Sequence, residues 1–185
     1  MSAQRFWIGG LAYTYEAEFD LDAAMWPPFY RGFDRPQPLP DGHELAWQVH
    51  LAGRGTSRPV GTPELESESW GLWRHGILRT IAFDGAPHAS PRWTAEMNVQ
   101  AGCAEVRWDS RMDDARSGGM LLSNLFALNL DRFLTMYRLA ESGGGMILHG
   151  AAADFSGRGW LFMGRSKHGK STLSNLLIKP KQLLC

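Results

Sequence analysis

Residues 164–171 read Gly-Arg-Ser-Lys-His-Gly-Lys-Ser and fit the pattern G-x-x-x-x-G-K-[ST]. No other feature constrains the local fold so tightly. A loop of this kind curls so that several backbone N–H groups point inward at phosphate oxygens, and its glycines permit that backbone. Lys170 is the residue that reaches the terminal phosphates, and the Ser171 hydroxyl is the one that holds Mg²⁺. The motif requires a strand before it and a helix after it. Gly159-Trp-Leu-Phe-Met163 is a short apolar run next to glycine and reads as a buried strand. Ser171 to Ile178 reads as a helix that Pro180 closes. A chance match in a glycine-bearing turn is the competing reading, and both flanks argue against it.

Upstream, Met146-Ile-Leu-His149-Gly150-Ala-Ala-Ala-Asp154 leads through Ser156-Gly157-Arg158-Gly159 into the run that ends at Gly164, with His149 fifteen positions before Gly164. Over about residues 120–185 this resembles the HPr kinase/phosphorylase family, which shares its phosphate-binding fold with the ATP-dependent phosphoenolpyruvate carboxykinases. The resemblance implies a strand carrying His-Gly, a glycine turn, a second strand and then the phosphate loop. It also implies ATP and Mg²⁺ as cofactors. Gly164, Ser166, Gly169, Lys170, Ser171 and Thr172 fall at nucleotide-binding positions, Ser171 at the metal, and His149 at the active-site histidine. Lys167 stands where the family loop has its middle glycine, and His168 precedes Gly169. A positive φ at Lys167 would cost about 1 kcal/mol.

In that family the acceptor is a serine on a protein or peptide, and an acidic pair after the loop helix supplies the general base and helps to hold the metal. Gln182-Leu-Leu-Cys185 resembles the start of the strand that carries this pair, which is not among the 185 residues. The expectation is that this chain by itself binds nucleotide weakly and transfers no phosphoryl group. Two other readings compete. One is a non-catalytic protein whose β-rich part binds a peptide or partner beside a vestigial nucleotide site. The other is a small-molecule carboxykinase, which needs further metal ligands and a substrate arginine not placed here.

Composition narrows the class. The chain is 44% hydrophobic and 21% charged, with zero formal net charge. Those values suit an ordinary globular chain with a core and give no electrostatic case for nucleic acid or an anionic membrane. Cys103 and Cys185 make neither a disulfide framework nor a zinc site. The first ten residues lack the apolar core of a signal peptide, and no stretch approaches a membrane span. A reducing, cytoplasmic setting is expected, and the oligomeric state stays open.

The fold class expected is α+β/α/β: a β-rich domain over residues 1–116, of unknown role, followed over 117–185 by an incomplete phosphate-loop core of the HPr kinase type. Arg5–Ile8 and Leu11–Phe19 suggest a hairpin around Gly9-Gly10. Further strands are expected at 44–51, 71–73, 77–83, 92–99 and 104–108. Residues 20–26 suggest a short helix and 33–42 a proline-rich loop. The stretch 53–69, rich in Gly, Ser, Thr, Pro and Glu, reads as a mobile connection. A broadly apolar helix from about Met120 to Glu141 reads as one buried against a sheet and ended by Gly143-Gly144-Gly145. Most of the eight tryptophans are expected in the core, with Trp70 and Trp73 as an alternative partner surface. His43, His50, His75 and His88 show no metal-ligand spacing, Asp113-Asp114 reads as a solvated linker, and Ser123 and Ser142 have no base partner in sight.

Overall fold

The computed structural model describes residues 1–8, 11–21, 33, 45–84, 90–112, 121–143, 145–148, 150–155, 157–164, 169–170, 172–173 and 176. The chain divides into two compact units, Met1–Gly145 and Met146–Cys185. The first holds a sheet of eight strands: β1 (Ser2–Ile8), β2 (Leu11–Ala17), β3 (Leu45–Arg54), β4 (Leu65–Glu66), β5 (Trp70–His75), β6 (Leu78–Phe83), β7 (Trp93–Asn98) and β8 (Cys103–Trp108). Their order is β1-β2-β3-β8-β7-β6-β5-β4. β2, β3 and β8 run parallel, and every other pairing is antiparallel.

Period-two alternation decides which face each strand buries. In β8, Ala104, Val106 and Trp108 are buried, while Glu105 and Arg107 are exposed. In β3, Trp47, Val49 and Leu51 are buried. Tyr13, Tyr15, Ile81, Trp93 and Met97 complete an aromatic-rich face. Two helices, α1 (Leu121–Ala127) and α2 (Leu130–Ser142), cover it. Leu125, Phe126, Leu130, Phe133 and Leu134 join the same hydrophobic core as the strands. The Trp47 indole N–H donates to the Leu134 carbonyl at 2.9 Å, and that of Trp93 to the Leu128 carbonyl at 3.2 Å. The Phe133 ring meets Trp70, Phe83 and Trp93 edge-on.

These contacts correct the expected fold class. The described chain is mostly β, dominated by one large mixed sheet, and both described helices are spent on that sheet. A β-rich domain followed by an α/β phosphate-loop core is not what forms. The apolar residues from Leu125 to Leu139 find their partner in the aromatic face of the first unit. The second unit's described sheet is a single antiparallel hairpin, β9 (Gly150–Phe155) and β10 (Arg158–Met163).

The single helix expected over 120–141 is two. Asn129 takes a left-handed conformation (φ 65°), which asparagine tolerates better than most residues, and its carbonyl starts the second helix by accepting from Phe133 N–H at 3.0 Å. Gly143, also left-handed, ends α2 as expected. The stretch 53–69 is tied to the sheet: Arg58 pairs with Asp84 at 3.1 Å and lies over the Trp73 ring. The expected helix over 20–26 and the loop over 33–42 fall almost wholly outside the described residues. Among the described residues no helix is long and apolar enough to cross a membrane.

Two expected outcomes arise from this packing. Gly102 has φ 67°, and a Cβ there would stand 2.5 Å from the Ala46 carbonyl oxygen. Backbone cannot yield as a side chain can. Gly102→Ala should destabilise the chain by about 1–3 kcal/mol, read as a lowered urea midpoint. An unchanged midpoint would mean that this turn is free to move. Tyr13 is fully buried and its hydroxyl is hydrogen-bonded to that of Thr135. Burial raises its pKa far above the ordinary tyrosine value; the bond to Thr135 opposes the rise and Asp131 adds to it. The folded state therefore keeps a proton that the unfolded chain releases near pH ~10, so stability is lost as pH rises beyond that value. Burial also raises Tyr137, with the same sign. Tyr13→Phe should flatten the fall between about pH 9 and pH 11 without abolishing it. Denaturant titrations at both pH values check the difference, and equal slopes in the two proteins would count against it.

Candidate functional site

The motif lies in the second unit, and the hairpin delivers it. β9 and β10 pair from Arg158↔Phe155 to Met163↔Gly150. Gly157 (φ 75°) closes the turn, and its N–H donates to the Asp154 carboxylate at 2.9 Å. Small residues on β9 let the strands meet: a Cβ on Gly150 would stand 3.0 Å from Leu161 Cδ1 and from the Phe162 carbonyl oxygen. The strand expected at 159–163 exists, but it is not the buried strand its apolar run suggested. Trp160, Leu161 and Met163 are 51%, 50% and 62% exposed. A lone two-stranded hairpin has two faces and cannot cover both.

β10 ends directly at the loop. Gly164 has φ 156° and Gly169 φ 74°, and a Cβ at either would meet nothing within 4 Å, so open space lies beside both glycines. The Gly169 carbonyl accepts the Leu173 N–H at 2.9 Å, which begins a helical turn. Lys170, Thr172, Leu173 and Leu176 are helical. The ammonium of Lys170 reaches back across the loop and donates to the Gly164 carbonyl at 2.9 Å. The first and seventh residues of the motif are thus brought together.

Of the expected site residues, Gly164, Gly169, Lys170 and Thr172 are described; Thr172 is exposed on the first helical turn. His149, Ser166 and Ser171, as well as Lys167 and His168, lie outside the described residues. The strand expected to carry His149 begins at the next residue, Gly150, opposite Met163. Asp113 and Asp114 also lie outside the described residues. Of the other histidines, His50 sits half-buried on β3 and His75 exposed on β5. Among the described residues no three His, Cys, Asp or Glu side chains are placed to hold a metal ion.

Sequence reasoning passed over the sheet face that the helices leave open. Thr80 and Thr94 are buried there although polar, and clefts open beside them. The signal was present as polar residues in alternation along β7 and β8.

No protein-family model, curated protein or solved structure matches the chain.

Proposed function

We propose that the chain binds the polyphosphate of ATP, together with Mg²⁺, through the loop that Gly164 and Lys170 close. The observation that carries this reading is the 2.9 Å contact between the Lys170 ammonium and the Gly164 carbonyl. It holds a positive charge beside Gly164, where a phosphate oxygen can take the place of a neutral carbonyl and gain a charge-assisted bond. Gly164 and Gly169 leave the open space a phosphate needs. These residues fit the phosphate; Ser171, the residue for the metal by the resemblance, lies outside the described residues. Bound ATP would supply the transferable phosphoryl group, and Mg²⁺ would offset its charge. The chain's own part is to seat and orient the phosphates.

Transfer to a serine on a protein or peptide, in the cytoplasm, is what the resemblance to HPr kinases implies, and it belongs to the same reading. One observation favours the second reading, a partner-binding protein without catalysis. The bulk of the described chain is a β-sheet unit, and the loop is carried by a hairpin instead of an α/β core. Both readings share phosphate binding. Titration calorimetry with Mg-ATP, Mg-ADP and adenosine tests it. Saturable binding that weakens from ATP to ADP and vanishes with adenosine is expected. Adenosine binding as well as ATP, or no binding of any of the three, would remove the proposal.

A further inference from the structure

Seven of the eight tryptophans lie among the described residues, and six of those seven are engaged. Trp47, Trp73 and Trp93 donate their indole N–H groups to backbone carbonyls. Trp70 and Trp108 meet other rings edge-on, and the Arg5 guanidinium lies over Trp7. Trp160 differs. Among the described residues its indole has neither a ring contact nor a hydrogen-bond partner, and the residue is 51% exposed. A large aromatic side chain left open to water forgoes the stabilisation that covering its face would bring.

Its place in the hairpin says what kind of group would cover it. Trp160 and the half-buried Phe162 alternate along β10 and so share one face. Opposite them β9 offers only Ala153 and Ala151, whose side chains are too short to cover an indole. The strand then runs into Gly164, whose carbonyl holds the Lys170 ammonium. Four residues of extended chain, at about 3.3 Å each, set Trp160 roughly 13 Å from Gly164. That is comparable with the span of an extended nucleoside triphosphate from its base to its terminal phosphates. One uncovered π-face and one phosphate-seeking cation thus stand at the two ends of a single nucleotide length.

We propose that Trp160 is the nucleobase subsite of the phosphate loop. The base of a bound nucleoside triphosphate stacks on the indole, the sugar lies over Phe162, and the phosphates reach Lys170. This inference rests on the reading of 164–171 as a phosphate loop. Stacking does not depend on the pattern of donors and acceptors on the base, since every base has a π-face. The subsite therefore accepts Mg-GTP as well as Mg-ATP. Stacking alone is too weak for a saturable complex, so a nucleoside without phosphates is not held.

Titration calorimetry of the full chain with Mg-ATP and with Mg-tripolyphosphate, which has no base, tests this. Trp160→Ala should weaken Mg-ATP binding by about 5- to 150-fold and leave Mg-tripolyphosphate binding unchanged. Trp160→Phe keeps a smaller ring and should lose less. Lys170→Ala, which acts on the phosphates, should weaken both ligands. Trp160 is exposed, so its variants are expected to fold, and an unchanged urea midpoint checks that they do. Tryptophan emission gives a second readout: Mg-ATP should quench the parent and not Trp160→Phe. The inference is overturned if folded Trp160→Ala keeps full affinity for Mg-ATP or loses affinity for both ligands in the same proportion. It is overturned too if the parent binds Mg-tripolyphosphate but not Mg-ATP. Each of these results leaves the phosphate loop standing. If the parent binds neither ligand, that reading fails and the subsite with it.

Discussion

Trp47→Ala should destabilise the first unit by about 3–5 kcal/mol, the largest stability effect expected from one substitution here. Trp47 is fully buried at the point where the parallel strands β2, β3 and β8 meet the helices. Its removal leaves a void that rigid sheet backbone on one side and α2 on the other cannot close. It also removes the 2.9 Å bond from the indole to the Leu134 carbonyl, which with the Trp93 bond to Leu128 joins the sheet to the helical layer. Trp47→Phe separates the two contributions. It keeps most of the ring and loses the bond, and should cost about 1–2 kcal/mol. Chemical denaturation followed by the remaining tryptophans gives both values. A domain of this size has a total stability of about 5–15 kcal/mol, so the alanine variant should be partly unfolded well below the parent's midpoint. A midpoint within about 1 kcal/mol of the parent's would mean that the helices do not pack on this face.

How far the sequence reveals this arrangement depends on what each pattern encodes. Alternation encodes the face a residue takes, so Ala104, Val106 and Trp108 were legible as one face and Glu105 and Arg107 as the other. It does not encode the neighbour. Nothing local to β3 says that β8 lies beside it, since that pairing closes over the whole β4–β7 segment. The apolar residues of 120–141 said that the stretch is buried, but not against which sheet. Their assignment to a second core failed for that reason. The break at Asn129 was hidden because one left-handed residue leaves the apolar pattern on both sides intact. Composition misled over 53–69, where small residues and prolines read as mobility while the Gly55 N–H, the Thr56 hydroxyl and the Arg58 side chain hold the stretch in place. At the candidate site the strand ending at Met163 and the start of a helix after Gly169 were legible in the motif. The exposure of Trp160 and Leu161 was not, because an apolar run reports a tendency to be covered and says nothing of what covers it.

Lys170→Ala should lower affinity for Mg-ATP by about 10- to 150-fold, the equivalent of a charge-assisted bond of about 1.5–3 kcal/mol. Lys170 is the only described cation at the loop. Its ammonium already lies on the Gly164 carbonyl. Binding would exchange that neutral acceptor for a phosphate oxygen, so the gain is a difference between two bonds and not the full strength of either. Lys170→Arg refines the test. It keeps the charge but replaces a compact ammonium with a planar fork of different reach and donor geometry, and a partial loss is expected. Lys170 is half-buried on the first helical turn and is not part of the hydrophobic core cluster, so neither variant should shift the denaturation midpoint by more than about 0.5 kcal/mol. That control separates lost binding from lost folding. Equal Mg-ATP affinity in the parent and the alanine variant, at unchanged stability, would show that the loop is not the phosphate site. Both nucleotide readings would fall with it, leaving the sheet unit as the part of the chain to which a function must be assigned.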